Sequence, residues 1–408
     1  MLPTSALESP GHRSAFAEPL FRRYFAASCV STLGSWMVRF LLGWSAWDLT
    51  QSATWVGVVA GLMLLPAFLL SPIFGIVSDR INPRNGLLVT VSLHGVIACV
   101  AGAVTALQWY SLPWLLMLSL ALGTVTSAHT PIRLALIPRL VTRQALPSAI
   151  GYSAIIFNIS RILGPAAGAA LLSQGSAALA FFATAPLFLV ALPLLLSVHG
   201  LAMPGRREKA SFPDELRAGL NYVGSHRGLR LIFGYTLINA LLGRTVIELL
   251  PALSGQLLHG DSSTLATLTA SAGAGSIIGG LIVSRQSSNE NYLMNMVTLC
   301  LLIGAASLLT LWWLDGLPAL CGLILLLSMI TTMVGTASQA LAQLMVAEDY
   351  RGRVLSLWTV IAMGAPSIGT VVMGSLADVL GFAPVLAGFA VLAIIGIAVL
   401  FRSRRQYC

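Results

Sequence analysis

The sequence predicts an all-α membrane protein of twelve transmembrane helices, and three observations lead to that prediction. The chain is 57% hydrophobic and only 9% charged, too few charges to cover the surface of a water-soluble domain. Apolar runs long enough to cross a bilayer core, which takes about 20 helical residues, recur from residue 24 to residue 401. The basic residues fall into alternate polar breaks, as they do in polytopic membrane proteins.

Short polar breaks divide the apolar runs into six predicted spans, a longer polar gap and six further spans. The first six are 24–49, 54–77, 86–107, 113–137, 147–172 and 177–198, and the last six are 230–254, 262–284, 292–314, 317–345, 354–378 and 382–401. The first twenty residues are polar and predict no secretory signal peptide. The predicted units are an N-terminal tail (1–23), a first six-helix bundle (24–199), a linker (200–229), a second six-helix bundle (230–401) and a C-terminal tail (402–408).

The distribution of basic residues predicts that both termini are cytoplasmic. With the N-terminus inside, no outside loop carries a Lys or Arg, and only Arg39, Arg161 and Arg244 of the 23 basic residues lie within spans. All the others fall on the inside, as the positive-inside rule requires. The net charge of +9 is therefore explained by topology and by contact with anionic lipid, so we expect no nucleic-acid partner.

Three common catalytic and nucleotide-binding motifs are absent from the sequence. There is no His-Glu-x-x-His pair, no Gly-x-Ser-x-Gly elbow and no phosphate-binding Gly-x-x-x-x-Gly-Lys run. The five cysteines show no metal-ligand spacing. We therefore expect neither an enzyme nor a self-contained ATP-driven pump, and no metal or other cofactor.

The polar gap between the halves contains a segment with helical spacing of apolar residues. Leu216, Leu220 and Val223 share one side of the stretch 212–223. A helix lying on the cytoplasmic membrane face and a solvated linker helix are equally compatible with this pattern.

The two halves of the sequence also resemble each other, since Gly75-Ile-Val-Ser-Asp79-Arg80 closes span 2 and Gly280-Leu-Ile-Val-Ser284-Arg285 closes span 8. Two six-helix repeats are the economical interpretation.

Gly75, Asp79, Arg80 and Arg84 form a charged motif where the chain leaves span 2 and turns into span 3. A carboxylate and arginines at this point can form a latch with neighbouring helix ends. The run resembles the loop motif between spans 2 and 3 of the major facilitator superfamily. This resemblance implies the fold of that superfamily and a role for these residues in gating between inward-open and outward-open states. Positive-inside charge alone is the alternative explanation.

Gly151, Gly164, Pro165 and Gly168 form a glycine-proline motif in span 5. The motif resembles the one that marks antiporter and drug-efflux members of the superfamily, which implies a bent helix that packs tightly and closes one side of the cavity. Ordinary helix packing is the alternative, because small residues are frequent in membrane helices.

Three longer runs narrow the resemblance to one branch of the superfamily. They cover Leu33 to Arg39, Leu146 to Pro165, and Asp349 to Val354, and together they are similar to the enterobactin-exporter branch over nearly the whole chain. The resemblance implies a monomeric transporter of the bacterial inner membrane that exports a siderophore or another bulky amphipathic compound by proton antiport. A multidrug or macrolide-type efflux pump, and an importer or facilitator on the same fold, remain open as alternatives.

Arg39, Arg161 and Arg244 are the substrate-binding candidates, together with Trp36. The three arginines lie at similar depth in their spans, about 13–16 residues from the cytoplasmic ends, and each is costly in a bilayer unless it faces a partner or a wet cavity. Such a ring suits an anionic or catecholate-like substrate, and Trp36 can add an aromatic wall. Burial against a structural partner is the alternative for each arginine, and packing is the alternative for the tryptophan.

Glu248 is the first candidate for proton coupling, with Asp48 and His129 as weaker ones. Glu248 lies one helical turn after Arg244 and is the only carboxylate predicted well inside a span. Burial favours its protonated form and the arginine favours its ionised form, so the two effects compete. A permanent ion pair with Arg244 is the alternative for Glu248, and a packed, hydrogen-bonded ring is the alternative for His129.

Overall fold

The computed structural model describes residues 14–78, 80–142, 144–199, 212–286, 289–347 and 350–405. Within these ranges the regular structure is entirely helical, and twelve helical segments are long and apolar enough to cross a membrane. The predicted fold class and the predicted number of spans are confirmed. The side of the membrane on which the termini lie stays a prediction.

Eleven of the spans are formed by a single long helix each. Spans 1 to 6 are Pro19–Thr50, Ala53–Ser78, Pro83–Ala106, Leu112–Leu136, Leu146–Leu172 and Ala177–Leu196, and spans 8 to 12 are Ser262–Ser284, Glu290–Leu309, Leu317–Met345, Arg351–Leu380 and Phe382–Arg405. Short 3₁₀ turns lie at Ala15–Ala17, Ile137–Arg139 and Thr310–Trp313. Span 7 is broken into several pieces and is described below.

Side-chain caps mark the starts of several spans. Asn82 accepts a hydrogen bond from the Arg84 amide before span 3, Ser176 accepts one from Leu179 before span 6, and Asn289 accepts one from Tyr292 before span 9. Each cap satisfies an amide that has no partner within its helix. These polar residues therefore fix where the apolar runs begin.

Most spans differ from the predicted bounds by one to five residues, and the starts of spans 1 and 7 are examples. Span 1 begins at Pro19 instead of residue 24, because proline fits the first helical turn and Phe21 and Tyr24 are buried. Span 7 begins at Arg227 instead of residue 230. The division into tails, bundles and linker stays a prediction.

Span 7 consists of Arg227–Asn239, a π-helical turn Ala240–Arg244, the short helix Thr245–Glu248 and a further helix Leu250–Leu258. The break at Leu249 precedes Pro251, whose ring removes an amide donor and disfavours a continuous helix. Irregular backbone at membrane depth is tolerated where it lines a cavity. The predicted span is present, and its helix is interrupted by the π turn and at Leu249, which the sequence pattern did not indicate.

A helix also forms in the linker, over Phe212–Ser225. Its Tyr222 ring stacks on His226 with centroids 4.0 Å apart and on Tyr350 with centroids 4.4 Å apart. The Tyr222 hydroxyl accepts a hydrogen bond from the amide of Ala347. The linker helix is thus attached to the segment that leads into span 11. The basic residues Arg206, Arg207 and Lys209, which precede it in the sequence, lie outside the described residues.

The two halves meet along spans 2 and 11 and along spans 5 and 8. We call the end of the bundle at which span 1 passes into span 2 the far end, since it lies opposite the chain termini. Gly57 packs on the carbonyl of Thr370, and Gly374 packs on the carbonyl of Ala53, so closely that a Cβ on either glycine would collide. Such backbone contact requires glycine. The far end is therefore closed along spans 2 and 11.

Candidate functional site

A cavity of about 130 Å³ lies between the two halves, where spans 1, 2 and 5 meet spans 7 and 8. Its charged lining consists of Arg39, Arg161, Arg244 and Glu248. Its apolar wall comes mainly from spans 1, 2 and 5 and includes Trp36, Phe40, Val56, Val59, Met63 and Phe157. The cavity thus brings together all four substrate-binding candidates and the first proton-coupling candidate.

Glu248 is held by two arginines from different halves of the protein. Nη2 of Arg39 donates to Oε2 of Glu248 at 2.5 Å, and Nε of Arg244 donates to Oε1 at 3.0 Å. The Glu248 side chain is 11% exposed, against 25% for Arg39 and 34% for Arg244. Charge-assisted bonds of this kind are strong in a water-poor site. The structure therefore contains the Arg244–Glu248 pair and adds Arg39 as a second partner.

The local structure of span 7 presents Arg244 and Glu248 to the cavity. Arg244 ends the π-helical turn, and Glu248 follows four residues later on the same helix face. Thr245 Oγ1 bonds to the carbonyl of Ala240, five residues back, as expected for the wider π turn. The turn shifts the register of span 7 just before Arg244. Such turns occur frequently at functional sites.

Arg161 occupies the opposite wall of the cavity. Its Nη1 donates to Oγ of Ser276 at 2.6 Å, and its guanidinium carbon lies 5.9 Å from the centre of the Trp36 ring, within range of a cation–π interaction. Trp36 itself packs edge-on against Phe157, with ring centroids 5.4 Å apart. Within the described part of the chain, no carboxylate lies within ion-pair distance of Arg161. The guanidinium group of Arg161 instead contacts the hydroxyl of Ser276 and the face of the Trp36 ring.

A small network of hydroxyl groups supports Arg161 from the second half. Ser276 of span 8 contacts Ser328 at 3.1 Å and Thr332 at 2.9 Å, both on span 10. Ser328 donates onward to the carbonyl of Ala272. Sequence reasoning missed these residues, because serine and threonine in membrane helices usually bond to their own backbone. The sequence does contain one indication of them, because an arginine inside a span requires a hydrogen-bond acceptor from a neighbouring span.

The cavity therefore contains three guanidinium groups and one carboxylate. Glu248 engages two of the three cations, which leaves the site with an excess of positive charge at low exposure. Planar guanidinium groups recognise carboxylates and stack on aromatic rings. The arrangement is chemically suited to binding an anion that also carries apolar or aromatic surface.

The two weaker proton-coupling candidates, Asp48 and His129, lie away from this cavity. The side chain of Asp48 is exposed near the far end of span 1. His129 packs between spans 3 and 4, where its Nδ1 contacts Thr90 Oγ1 at 2.9 Å and its ring lies 5.7 Å from that of His94. His129 thus has the packed, hydrogen-bonded environment that was the alternative to a coupling role.

The predicted gating motif is only partly within the described residues. Gly75 lies in the last turns of span 2, and Asp79 is outside the described ranges. Arg80 is exposed, whereas Arg84 donates from Nε to the carbonyl of Leu195 at 3.2 Å and from Nη2 to that of Leu196 at 2.7 Å. Arg84 thus caps the end of span 6, where carbonyls lack helical partners.

The glycine-proline motif of span 5 contacts span 1. Gly164 lies against Trp36 and Met37, and Gly168 lies against Phe40, with no room for a side chain at either position. Pro165 lines the cavity, while no neighbour lies within 4 Å of a Cβ built on Gly151. Gly164 therefore lets span 5 approach the tryptophan that contacts Arg161, and Gly168 allows the same close approach at Phe40.

Comparisons with characterised proteins agree with this architecture. A transporter of staphyloferrin A from Staphylococcus aureus is 26% identical over 361 residues, which cover 88% of this chain and 89% of that protein. Macrolide efflux protein A of Streptococcus pyogenes is 23% identical, covering 88% of this chain and 90% of that protein. The multidrug efflux pump Tap of Mycobacterium tuberculosis is also 23% identical, covering 90% and 89%.

Solved structures of transporters share the fold. A bacterial homologue of the human lysosomal transporter Spinster, in an inward-facing and unoccupied conformation, superposes with a TM-score of 0.71 at 16% identity, covering 95% of this chain and 98% of that chain. The nucleoside transporter NupG superposes with a TM-score of 0.72 at 11% identity, covering 94% and 98%. At these identities the likeness shows the fold alone.

The sequence profile of the transmembrane secretion effectors matches residues 11–407. That range covers nearly the whole chain, and the twelve-span structure agrees with it. The protein is a multi-pass membrane transporter and not an enzyme. It belongs to the transmembrane secretion effector family of the major facilitator superfamily.

Proposed function

We propose that this protein exports an anionic, amphipathic small molecule, a siderophore, from the cytoplasm in exchange for protons. The observation that carries the proposal is the cavity between the halves, in which three arginines surround a single carboxylate beside an apolar and aromatic wall. Intramembrane charges of this kind mark substrate and ion pathways in transporters. The similarity to a transporter of staphyloferrin A supports the siderophore class.

Arg161 is the proposed anchor for the acidic end of the substrate. Its guanidinium has a neutral hydroxyl partner and an aromatic face instead of a carboxylate, so an incoming carboxylate or catecholate gains a charge-assisted bond. Trp36 and Phe157 are available beside it to pack on aromatic or apolar groups of the substrate. The apolar residues of span 2 that line the cavity would contact the remaining apolar surface of the substrate.

Glu248 is the proposed coupling acid. Its carboxylate links Arg39 of the first half to Arg244 of the second, and protonation would remove its charge and weaken both bonds. The protonated and ionised forms would thus favour different relations between the halves. The proposed exchange requires that the two halves reorient with either a proton on Glu248 or an anion at the arginines, and not with both.

The similarity to macrolide and multidrug efflux proteins supports outward transport, and the proposed orientation is compatible with it. With both termini in the cytoplasm, the sealed far end faces outward and the cavity faces the cytoplasm, which is the state in which an exporter loads its cargo. Sites for drug-sized ligands typically have volumes of roughly 300–1,000 Å³. The cavity of about 130 Å³ must therefore widen when cargo binds. We place the protein, as a monomer, in the bacterial inner membrane, with the proton gradient as its energy source.

Drug or macrolide efflux is the second candidate function. The apolar wall formed by Phe40, Val56, Val59 and Met63 would accept many uncharged compounds. The similarity to macrolide efflux protein A and to the multidrug pump Tap supports this candidate. The two candidate functions differ in the charge of the cargo: siderophore export requires an anionic cargo, whereas drug efflux does not.

Comparative mass spectrometry of medium and cell extract tests the proposal. Iron-starved host cells with and without the gene are compared. We expect one siderophore to disappear from the medium and to accumulate inside the cells that lack the gene. An unchanged profile together with increased susceptibility to macrolides or other drugs would replace siderophore export by drug efflux. Accumulation of an external solute only in cells that carry the gene would reverse the proposed direction.

A further inference from the structure

Asp378, near the end of span 11, is bonded to the start of span 2 in the other half of the protein. Its Oδ2 accepts hydrogen bonds from Ser52 Oγ at 2.5 Å, Thr54 Oγ1 at 2.6 Å and the Thr54 amide at 2.9 Å. Its Oδ1 accepts one from the Ala53 amide at 2.7 Å and a longer one from Gln256 Nε2 at 3.4 Å. One carboxylate thus accepts five hydrogen bonds.

The bonds from Ala53 and Thr54 cap a helix across the interface between the halves. Span 2 begins at Ala53, and the first amides of a helix have no partner within it. A helix start also carries partial positive charge, which a carboxylate stabilises. Caps usually come from the residue just before the helix, but here the negative charge comes from a residue 324 positions away in the chain. Separation of the halves at this end must break this cap.

The backbone packing next to Asp378 shows that the same helices form the seal. Gly57 and Gly61 of span 2 lie against the carbonyls of Thr370 and Ser367, and Ser367 Oγ donates to the carbonyl of Gly61 at 3.0 Å. These contacts continue from the Asp378 cap toward the cavity along the same pair of helices. Asp378 therefore lies at the outer edge of the far-end seal.

We propose that Asp378 is a positioning residue of the transport cycle that latches the far end shut and is released when that end opens. Asp378 is exposed, so water can take over its hydrogen bonds and those of the span 2 amides after opening. The latch is consequently reversible at modest cost. The latch rests on the alternating-access part of the proposed function. It does not depend on the identity of the cargo or on proton coupling.

Measurement of a distance between the two halves tests the latch. Spin labels are attached at Leu107→Cys in the first half and Thr267→Cys in the second, in a background without the native cysteines, and the distance distribution is recorded in liposomes. Both positions are exposed and lie toward the far end. For Asp378→Asn we expect about a tenfold rise in the ratio of the far-open to the far-closed population, because a charged acceptor is lost. For Thr54→Ala we expect a smaller shift in the same direction.

Asp315→Asn is the matched control, since Asp315 is an exposed carboxylate in the loop before span 10 at the same end. It should leave the distribution as in the unsubstituted protein. If the Asp378→Asn variant does not insert into the membrane, Thr54→Ala alone carries the test. Unchanged distributions in the variants that insert, or an equal shift in Asp315→Asn, would overturn the latch. Because no cargo is present, the result is independent of whether siderophore export is correct.

Discussion

Arg39 and Glu248 form an ion pair that joins the two halves of the protein inside the membrane, with Nη2 and Oε2 2.5 Å apart. They are separated by 209 positions in the chain, and Arg244 binds the other oxygen of the same carboxylate. A change in the charge of Glu248 therefore alters its bond to Arg39 in the first half and its bond to Arg244 in the second half at the same time. This relationship connects the chemistry of the cavity to the relative position of the bundles.

Glu248→Gln is expected to abolish transport driven by a pH gradient while substrate binding stays measurable. Glutamine keeps an oxygen for the arginines but cannot ionise, so the switch between two charge states is lost. Full removal of the side chain would be less informative, because leaving buried charges unpaired typically costs about 3–5 kcal/mol. Uptake into inside-out vesicles with an imposed pH gradient, together with calorimetric binding, provides the measurement.

Glu290→Gln is the control for that experiment, since Glu290 is an exposed carboxylate in the first turn of span 9. It should behave as the unsubstituted protein. Coupling of normal strength in Glu248→Gln would eliminate Glu248 as the coupling acid and leave the permanent ion pair as the explanation for its presence.

Arg161→Ala is expected to weaken the binding of anionic compounds by about 10–100-fold, and that of neutral analogues far less. The estimate corresponds to the roughly 1.5–3 kcal/mol of a hydrogen bond to a charged group. Arg39→Ala should act in the same direction. Ser276→Ala keeps the cation and removes its hydroxyl partner, so a much smaller effect is expected. Equal losses for anionic and neutral compounds, measured by tryptophan fluorescence or calorimetry, would indicate a structural role for Arg161.

Sequence patterns predicted the parts of the site that the bilayer itself enforces. Twelve apolar runs are required for twelve crossings, and an arginine in such a run must find a polar environment, so Arg39, Arg161 and Arg244 could be identified. The partners depend on how two bundles pack, and no local pattern encodes that. Arg161 could not be assigned to Ser276, nor Asp378 to the start of span 2, before the halves were placed together. The π turn was also missed; within it, Gly243 packs against Thr331 of span 10 with no room for a side chain.

Arg84→Ala is expected to lower turnover without changing which compounds are recognised. The substitution removes the two bonds to the carbonyls of Leu195 and Leu196, which connect the start of span 3 to the end of span 6. Each neutral-acceptor bond contributes about 1 kcal/mol to stability. Arg80→Ala should also slow turnover if the charged motif gates the cycle. Rates over a panel of compounds give the measurement, with Arg402→Ala, an exposed arginine at the end of span 12, as the control. An altered compound range at normal turnover would contradict the gating role.

Asp261→Ala is expected to destabilise the start of span 8 by about 1 kcal/mol, whereas Asp261→Asn should cost less, because asparagine keeps an acceptor at the cap but lacks the charge. Asp261 precedes the helix and accepts hydrogen bonds from Ser263 Oγ, the Thr264 amide and Thr264 Oγ1.

The hydrogen bond from the Ser263 side chain and that from the Thr264 amide lower the pKa of the Asp261 carboxyl below its usual range. A lowered pKa in the folded state means that the ionised cap stabilises at neutral pH and that its contribution is lost as the pH falls through the folded-state pKa. Thermal unfolding in detergent from neutral to acidic pH should therefore bring the unsubstituted protein toward Asp261→Ala only at acidic pH. A constant difference between the two at every pH would show that the charge of Asp261 contributes nothing.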